Sequence, residues 1–515
     1  MFETLLAIVP PLLAITLAII TRQVIISLFV AVYVGATMLC SGNLWEGLYS
    51  TFFDFILPGL GDTDHQRILA LTTFCGGLSL LLERSGGAQA FANRVNKGVG
   101  KTRRGAQLIT WLGGIFIWFS DSTNPVLVGP VCRGITDKVK VSREKLAYIV
   151  DSTTAAVPTL FPLSAWGAYI IGLISAFYAD YNYNGNPQMD FISGIPYQFY
   201  TIGSILMVFI IAVTGWDYGP MKKAEDRAYL TGELYREGAD IKRESKLEEL
   251  PDGAKPTIWN MIVPIVVLLI FIFIGLFYTG DIKANGVFGA LANGSSLRAL
   301  VTAFIIAAVV AGAIGITNKV FTFNTAVNTF IEGCTNMMEV VIMLLLAWSI
   351  GSICSACGTS TWIVNTFEGF LTPMSMSAII FIAACLTSFS TGSSWSVFAI
   401  FIPIACSIAI SIGAPVGMAI GVVLSGGIFG DHCSPISDTT VMSSMGSSCD
   451  HIDHVNTQLP YALTVAGASL VGYLICGILQ GGAFIGLAIT IVLISVTSYL
   501  LNKYFGRGKE TKSTV

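Results

Sequence analysis

The sequence predicts an all-α integral membrane protein of about 11 transmembrane helices plus two re-entrant hairpins, folded as two inverted-topology repeats with interrupted helices. Three observations predict it. Of the 515 residues, 54% are hydrophobic and only 11% charged, too few charges to cover a soluble surface. Lysine and arginine cluster in short loops whose sides of the membrane are consistent only if two segments enter and leave on the same face. Polar, helix-breaking stretches recur at matching places in the two halves.

Apolar segments of spanning length lie at 4–20, 24–40, 67–83, 196–216, 257–279, 298–316, 337–355, 457–480 and 483–502. Two longer segments, 146–178 and 416–450, are interrupted by polar residues. Two more, 107–132 and 375–413, carry a polar centre between apolar arms. The first segment contains Pro10-Pro11 and is preceded by no basic n-region, and no A-x-A site is evident, so it is expected to be retained. The eleven cysteines are scattered, mostly through apolar segments, and form no secreted disulfide framework. Cys354 and Cys357 match C-x-x-C without a βαβ context and read as helix packing.

Loop charges set the orientation. The loop 84–106 holds Arg84, Arg94, Lys97, Lys101, Arg103 and Arg104, and 133–145 holds Arg133, Lys138, Lys140, Arg143 and Lys145; both are expected on the cytoplasmic side. The segment between them, 107–132, then begins and ends on one face and reads as a hairpin with its tip near Asp121. The stretch 179–195, without lysine or arginine, falls outside, and 217–256 falls inside. The second hairpin, 375–413, then enters from outside, and the tail with Lys503, Arg507, Lys509 and Lys512 ends inside.

The same order of segments occurs twice, which divides the chain into a first repeat (1–216), a cytoplasmic linker (217–256), a second repeat (257–480) and an extra helix with a basic tail (481–515). Inverted repeats of this kind are used by many secondary transporters for alternating access. The linker carries acidic and basic residues at helical spacing and reads as a solvated helix.

The polar breaks carry the chemistry. In the first half they are Ser120-Asp121-Ser122-Thr123-Asn124-Pro125 and Asp151-Ser152-Thr153-Thr154 through Pro158. In the second they are Ser390-Thr391-Gly392-Ser393-Ser394 and Gly430-Asp431-His432-Cys433-Ser434-Pro435-Ile436-Ser437-Asp438-Thr439-Thr440. Ionisable groups at membrane depth are expensive and mark functional cavities. Glycine and proline free backbone carbonyls there, and a small hard cation such as Na+ takes oxygen ligands. A carboxylate removed from water exchanges its proton nearer neutral pH, so one that binds either H+ or Na+ supplies the competition that antiport needs. The expected ion ligands are Asp121, Asn124, Asp151, Ser152, Thr153, Asp431, Asp438 and Thr439. The expected substrate and proton contacts are Ser122, Thr123, Thr391, Ser393, Ser394, His432, Ser434 and Ser437.

Plainer readings stand beside these. Asp151 has Arg143 and Lys145 close by in sequence as ion-pair partners. His432 either titrates or braces the loop through a carbonyl, and single serines in membrane helices commonly bond their own i−4 carbonyl. Glu339 reads as interfacial, and His65, His451 and His454 read as surface loop residues. No Walker loop, dinucleotide fingerprint, zinc spacing or hydrolase elbow occurs, so the chain is expected to be neither an enzyme nor an ATP-driven pump, with no cofactor and no nucleic-acid partner.

Several stretches resemble the NhaC-type sodium/proton antiporter family of the ion-transporter superfamily: Arg84-Ser85-Gly86-Gly87-Ala88-Gln89, Ser142 through Thr153, Trp166-Gly167-Ala168-Tyr169 and, most specifically, Gly430 through Thr440. The similarity runs from about residue 10 to 480. It implies a multi-pass transporter of a prokaryotic cytoplasmic membrane, a homodimer in membrane lipid, with Na+ and H+ as transported or coupling ions. The chain departs from the family at both hairpin tips. Many members have two adjacent aspartates followed by Tyr-Ala-Asn where this chain has Ser120-Asp121-Ser122-Thr123-Asn124, and Gly-Thr-Ser-Trp-Gly-Thr where it has Gly392 through Val397. A site with fewer carboxylates and more hydroxyls also suits Na+- or H+-coupled transport of a small organic solute, an amino acid or a carboxylate.

Overall fold

The computed structural model describes residues 5–506 except 22, 88–89, 91–101, 119–120, 122, 242–249, 252, 367–369 and 481. Ser120, Ser122, the Thr123 side chain, Ala88-Gln89, Arg94, Lys97, Lys101 and the tail beyond Gly506 lie outside the described residues. Within them the elements are helices.

The first half contains α1 (Val9–Thr21), α2 (Val24–Leu39), α3 (Thr63–Arg84), the paired α4 (Arg103–Phe116) and α5 (Thr123–Lys138), the two arms of a broken helix, α6 (Arg143–Thr154) and α7 (Ala165–Asp180), and α8 (Phe199–Thr214). After α9 (Gly219–Thr231), the second half follows the same order, with α12 standing where the first half has the short helices of 44–61: α10 (Trp259–Thr279), α11 (Ser296–Thr317), α12 (Phe323–Asn336), α13 (Met338–Cys357), the paired α14 (Pro373–Thr391) and α15 (Ser394–Ser411), the broken helix α16 (Val416–Cys433) and α17 (Asp438–Ser447), and α18 (His451–Ile478). The chain closes with α19 (Ala483–Phe505). Among the described residues nine helices are long and apolar enough to cross a membrane, or ten if α2 and Leu44–Gly61, bent by 118°, form one span. Both α14 and α15 are among the nine.

The contacts also repeat. The first pair, α4 and α5, packs on α6, and α5 reaches across to α17 of the other half. The second pair, α14 and α15, packs on α16, and α15 reaches across to α7. In the same way α8 lies against α16 while α18 lies against α6, and α2 touches α13 while α11 touches α3. Each broken helix is therefore held by a helical pair of its own half and by the helix that follows the other break. Close approach makes this possible. A Cβ at Gly430 would overlap the backbone of Ser388 and Phe389 in α14, and one at Gly446 would overlap the Pro125 carbonyl in α5.

The breaks have local causes. Ser164 ends the first by capping α7, accepting from Gly167 N at 3.0 Å while donating to the Pro158 carbonyl at 2.7 Å. In the second, Pro435 lacks the N–H that a continuous helix would need, and Ser434 Oγ donates instead to the Phe389 carbonyl at 2.7 Å.

Two expectations change here. The linker helix α9 is docked, not simply solvated: Met221, Ala224, Glu225 and Ala228 are buried. Glu225 pairs with Arg103 at 2.6 Å and accepts from Ser142 N at 2.8 Å, and Arg227 meets Glu144 at 2.8 Å. Its charges match the basic loops beneath the first pair, which charge spacing alone does not reveal. His65 and His454 are also buried, not surface residues, and His451 is half-buried. His65 stacks on Trp348 at 3.7 Å. The helix carrying His454 begins at His451, before the apolar run, because Asp450 caps it by accepting from Ile452 N and Asp453 N. Glu339 is exposed, and Cys354 and Cys357 are free thiols buried in α13.

Candidate functional site

Asp151 lies in the last turn of α6 and Asp431 in the last turn of α16, equivalent places in the two halves. Both are buried. A carboxylate at a helix C-terminus faces the negative end of the helix dipole, so both positions favour a bound proton or cation. The two helix ends meet directly: Ser152 Oγ lies 2.8 Å from His432 Nε2.

The oxygens of Asp431 are surrounded by hydroxyls. Ser394 donates to Oδ2 at 2.6 Å, and Ser437 and Thr439 donate to Oδ1 at 2.5 and 3.3 Å. Asp151 has a mixed shell. Ser443 donates to Oδ1 at 3.1 Å; Thr440 and the Gln458 amide donate to Oδ2 at 3.2 and 2.6 Å, with His454 Nε2 3.9 Å away. Thr440 Oγ1 also lies 3.1 Å from the Asp431 carbonyl oxygen and so sits between the two sites. The ion-pair alternative for Asp151 is not realised: Arg143 pairs with Asp137 at 2.9 Å, and Lys145 forms a buried pair with Asp217. Among the described residues no lysine or arginine forms an ion pair with Asp151 or Asp431.

Around this centre the remaining residues separate. His432 is held at both ring nitrogens, Nε2 by Ser152 and Nδ1 by the Tyr200 hydroxyl at 2.8 Å, the arrangement of a brace. Asn124 is buried and donates to the Gly114 carbonyl at 3.1 Å and Thr153 Oγ1 at 3.3 Å; its Oδ1 has no hydrogen-bond partner among the described residues. Asp121 accepts from Trp166 Nε1 at 3.0 Å, and Asp431 lies within electrostatic reach of Asp121. Trp166 packs on Trp395 with ring centres 4.5 Å apart, so an aromatic wall adjoins Asp121.

Other expected contacts turn elsewhere. Thr391 donates to the Thr387 carbonyl at 2.9 Å and Ser434 to Phe389, while Ser393 is half-buried at the tip of the second pair. Asp438 does not join the cluster: it is exposed and makes no hydrogen bond with the described residues. Ser437 and Thr439 on either side of it face Asp431, and at this first turn of α17 the intervening side chain points away from them. Sequence reasoning missed Tyr200, Ser443, His454 and Gln458. The last two are polar residues four apart, one turn of α18, a spacing that does signal one face of a helix.

Polar groups gathered between two broken helices inside a bundle of spanning helices define a multi-pass secondary transporter, not an enzyme. The sequence pattern of the Na+/H+ antiporter family matches residues 157–478, more than half of the chain, and the chain belongs to that family. An uncharacterized protein of Haemophilus influenzae is 34% identical over 96% of this chain and 95% of its own length. Two shorter similarities are to the malate-2H(+)/Na(+)-lactate antiporter of Bacillus subtilis, 26% identical over 32% of this chain and 36% of that one, and to the arginine/ornithine antiporter ArcD of Halobacterium salinarum, 29% identical over 28% and 29%. In fold the chain is similar to the YdaH transporter of Alcanivorax borkumensis, with a TM-score of 0.57 at 12% identity over 84% of this chain and 88% of that one. It is likewise similar to MtrF of Neisseria gonorrhoeae, with a TM-score of 0.56 at 14% identity over 94% of each.

Proposed function

We propose that the protein exchanges Na+ for H+ by alternating access, with Asp431 as the centre of the cation site and Asp151 as the proton carrier. One observation carries the reading: two buried carboxylates at facing helix ends are satisfied by neutral donors and by no lysine or arginine among the described residues. A carboxylate in that setting needs a proton or a cation when it is desolvated. The division of labour follows from the donors. Hydroxyls turn readily from donating to ligating, so Ser394, Ser437 and Thr439 can join Asp431 around Na+, with Asn124 Oδ1 and Thr153 forming a second group of oxygens. The N–H groups at Asp151 Oδ2 repel a cation and suit a proton carrier. The repeats 1–216 and 257–480 would move against each other around this centre, in a homodimer in a prokaryotic cytoplasmic membrane. Na+-dependent dequenching of a pH dye in acid-loaded proteoliposomes tests the proposal; no response at any pH around neutrality overturns it.

A second reading is coupled transport of a small organic solute. The single aspartate at the first tip and its aromatic neighbours Trp166 and Trp395 favour it, as do relatives whose names specify malate, lactate, arginine and ornithine. A thermal-shift screen of amino acids and dicarboxylates with and without Na+ separates the two readings, because only this one calls for a solute whose stabilisation requires Na+.

A further inference from the structure

Behind Asp151, at the end of the bundle where Arg236 meets Asp453 at 3.0 Å, two histidines share one serine. Ser444 Oγ lies 3.1 Å from His451 Nδ1 and 2.8 Å from His454 Nδ1. The opposite nitrogens face carbonyl oxygens: His451 Nε2 is 2.7 Å from the Pro435 carbonyl, and His454 Nε2 is 2.9 Å from Gln458 Oε1. The Gln458 amide cannot be turned round, because its nitrogen serves two acceptors, Asp151 Oδ2 and the His432 carbonyl. Both rings therefore carry a proton on Nε2, and when neutral both present a bare Nδ1 to Ser444.

The hydroxyl then has more acceptors than protons. Its single hydrogen is sought by both Nδ1 atoms and by the Thr440 carbonyl at 2.8 Å. One added proton resolves the conflict: the ring that takes it becomes a donor to Ser444 Oγ, and Ser444 donates to the other ring. The two arrangements differ only in which ring carries the charge.

We infer that His451, Ser444 and His454 form a proton relay between the half-buried His451 and the buried Asp151. A proton on His451 Nδ1 passes to Ser444 Oγ as the hydroxyl proton passes to His454 Nδ1. His454 Nε2–H then gives its proton to Asp151 Oδ2, 3.9 Å away, once the Gln458 amide shifts aside. His451 has lost one proton and the carboxylate has gained one, no electrons move, and His454 is left as its Nδ1–H tautomer. The charged and titratable groups facing the relay are Asp151 and Glu144 from α6, Asp431 and His432 from α16, and Asp450 and Asp453 at the start of α18 with Arg236 against them. Arg227 neutralises Glu144.

This relay rests on the antiport reading, so its test scores both. Full-length wild type, Ser444→Ala, Ser444→Thr and His454→Gln are reconstituted, and Na+-driven proton movement is followed across a range of pH beside Na+/Na+ exchange at equal pH. The relay is supported if Ser444→Ala and His454→Gln slow proton movement about 10–100-fold with an altered pH profile, Ser444→Ala keeps Na+/Na+ exchange at the wild-type rate, and Ser444→Thr restores proton movement. Wild-type proton movement and pH profile in Ser444→Ala and His454→Gln overturn the relay and leave antiport standing. Equal loss of both activities in Ser444→Ala, or no recovery in Ser444→Thr, also overturns it, by showing a structural role. A wild type that moves Na+ but no protons overturns the antiport reading and the relay together.

Discussion

Replacing Asp431 with asparagine removes one charge from the proposed cation site with little change of shape. The carboxylate accepts from Ser394, Ser437 and Thr439. In Asp431→Asn one side of the group becomes an NH2 donor, and the hydroxyls on that side can turn to accept from it. Each bond that changes from charged to neutral loses about 1 kcal/mol, and relief from burying a charge offsets part of that total. The variant should therefore fold, with a thermal midpoint within a few degrees of the wild type. Cation binding is different. A unit cation against a carboxylate gains about 4 kcal/mol at ~4 Å and an effective dielectric of roughly 20. Losing that interaction weakens Na+ binding by about 10³-fold. Na+-dependent thermal stabilisation of the purified protein measures the affinity, and Na+-driven dye dequenching measures exchange. A folded Asp431→Asn protein that responds to the same Na+ concentrations as the wild type would refute the assignment.

Other expectations follow from neighbouring residues. Asp151→Asn resembles a permanently protonated Asp151 and can keep its bonds by presenting oxygen to Gln458 and NH2 to Ser443. It is expected to retain Na+ stabilisation and lose proton coupling; proton-coupled exchange at the wild-type rate contradicts the proton role. Asp438→Asn, at an exposed position, should leave the Na+ dependence of exchange unchanged, and a large loss in that assay would place Asp438 in the transport path after all. Lys145→Met strands Asp217 with the Tyr461 hydroxyl at 2.6 Å as a side-chain partner, and should destabilise the protein by about 3–5 kcal/mol. A thermal midpoint equal to the wild type would show that this buried pair contributes little.

How much was legible in the sequence differs from residue to residue. Asp151, Asp431 and the hydroxyls around Asp431 were legible because a carboxylate beside a helix break in an apolar run is a local signal, and each half carries one. Asp438 shows the limit. It lies in the same polar stretch as Ser437 and Thr439, yet successive helical residues point about 100° apart, and only the packing of α17 decides which of them face Asp431. Ser394 and Asp431 meet because Gly430 lets α14 and the tip between α14 and α15 lie close to α16. His454 escaped notice because the apolar run of α18 begins after its capped start, and Gln458 because a single amide at the head of that run is no local signal.

The sequence by itself determined the membrane class, the broken helices and the pair of carboxylates, since these depend on apolar run length and on residues that interrupt a helix nearby in the chain. The tertiary structure decided which partners each carboxylate has. It separated a hydroxyl-lined Asp431 from an Asp151 backed by Gln458 and His454, placed two histidines on one serine, and docked the linker on the basic loops. Those pairings join residues far apart in the chain, and they are set by helix rotation and close packing, which no local stretch of sequence encodes.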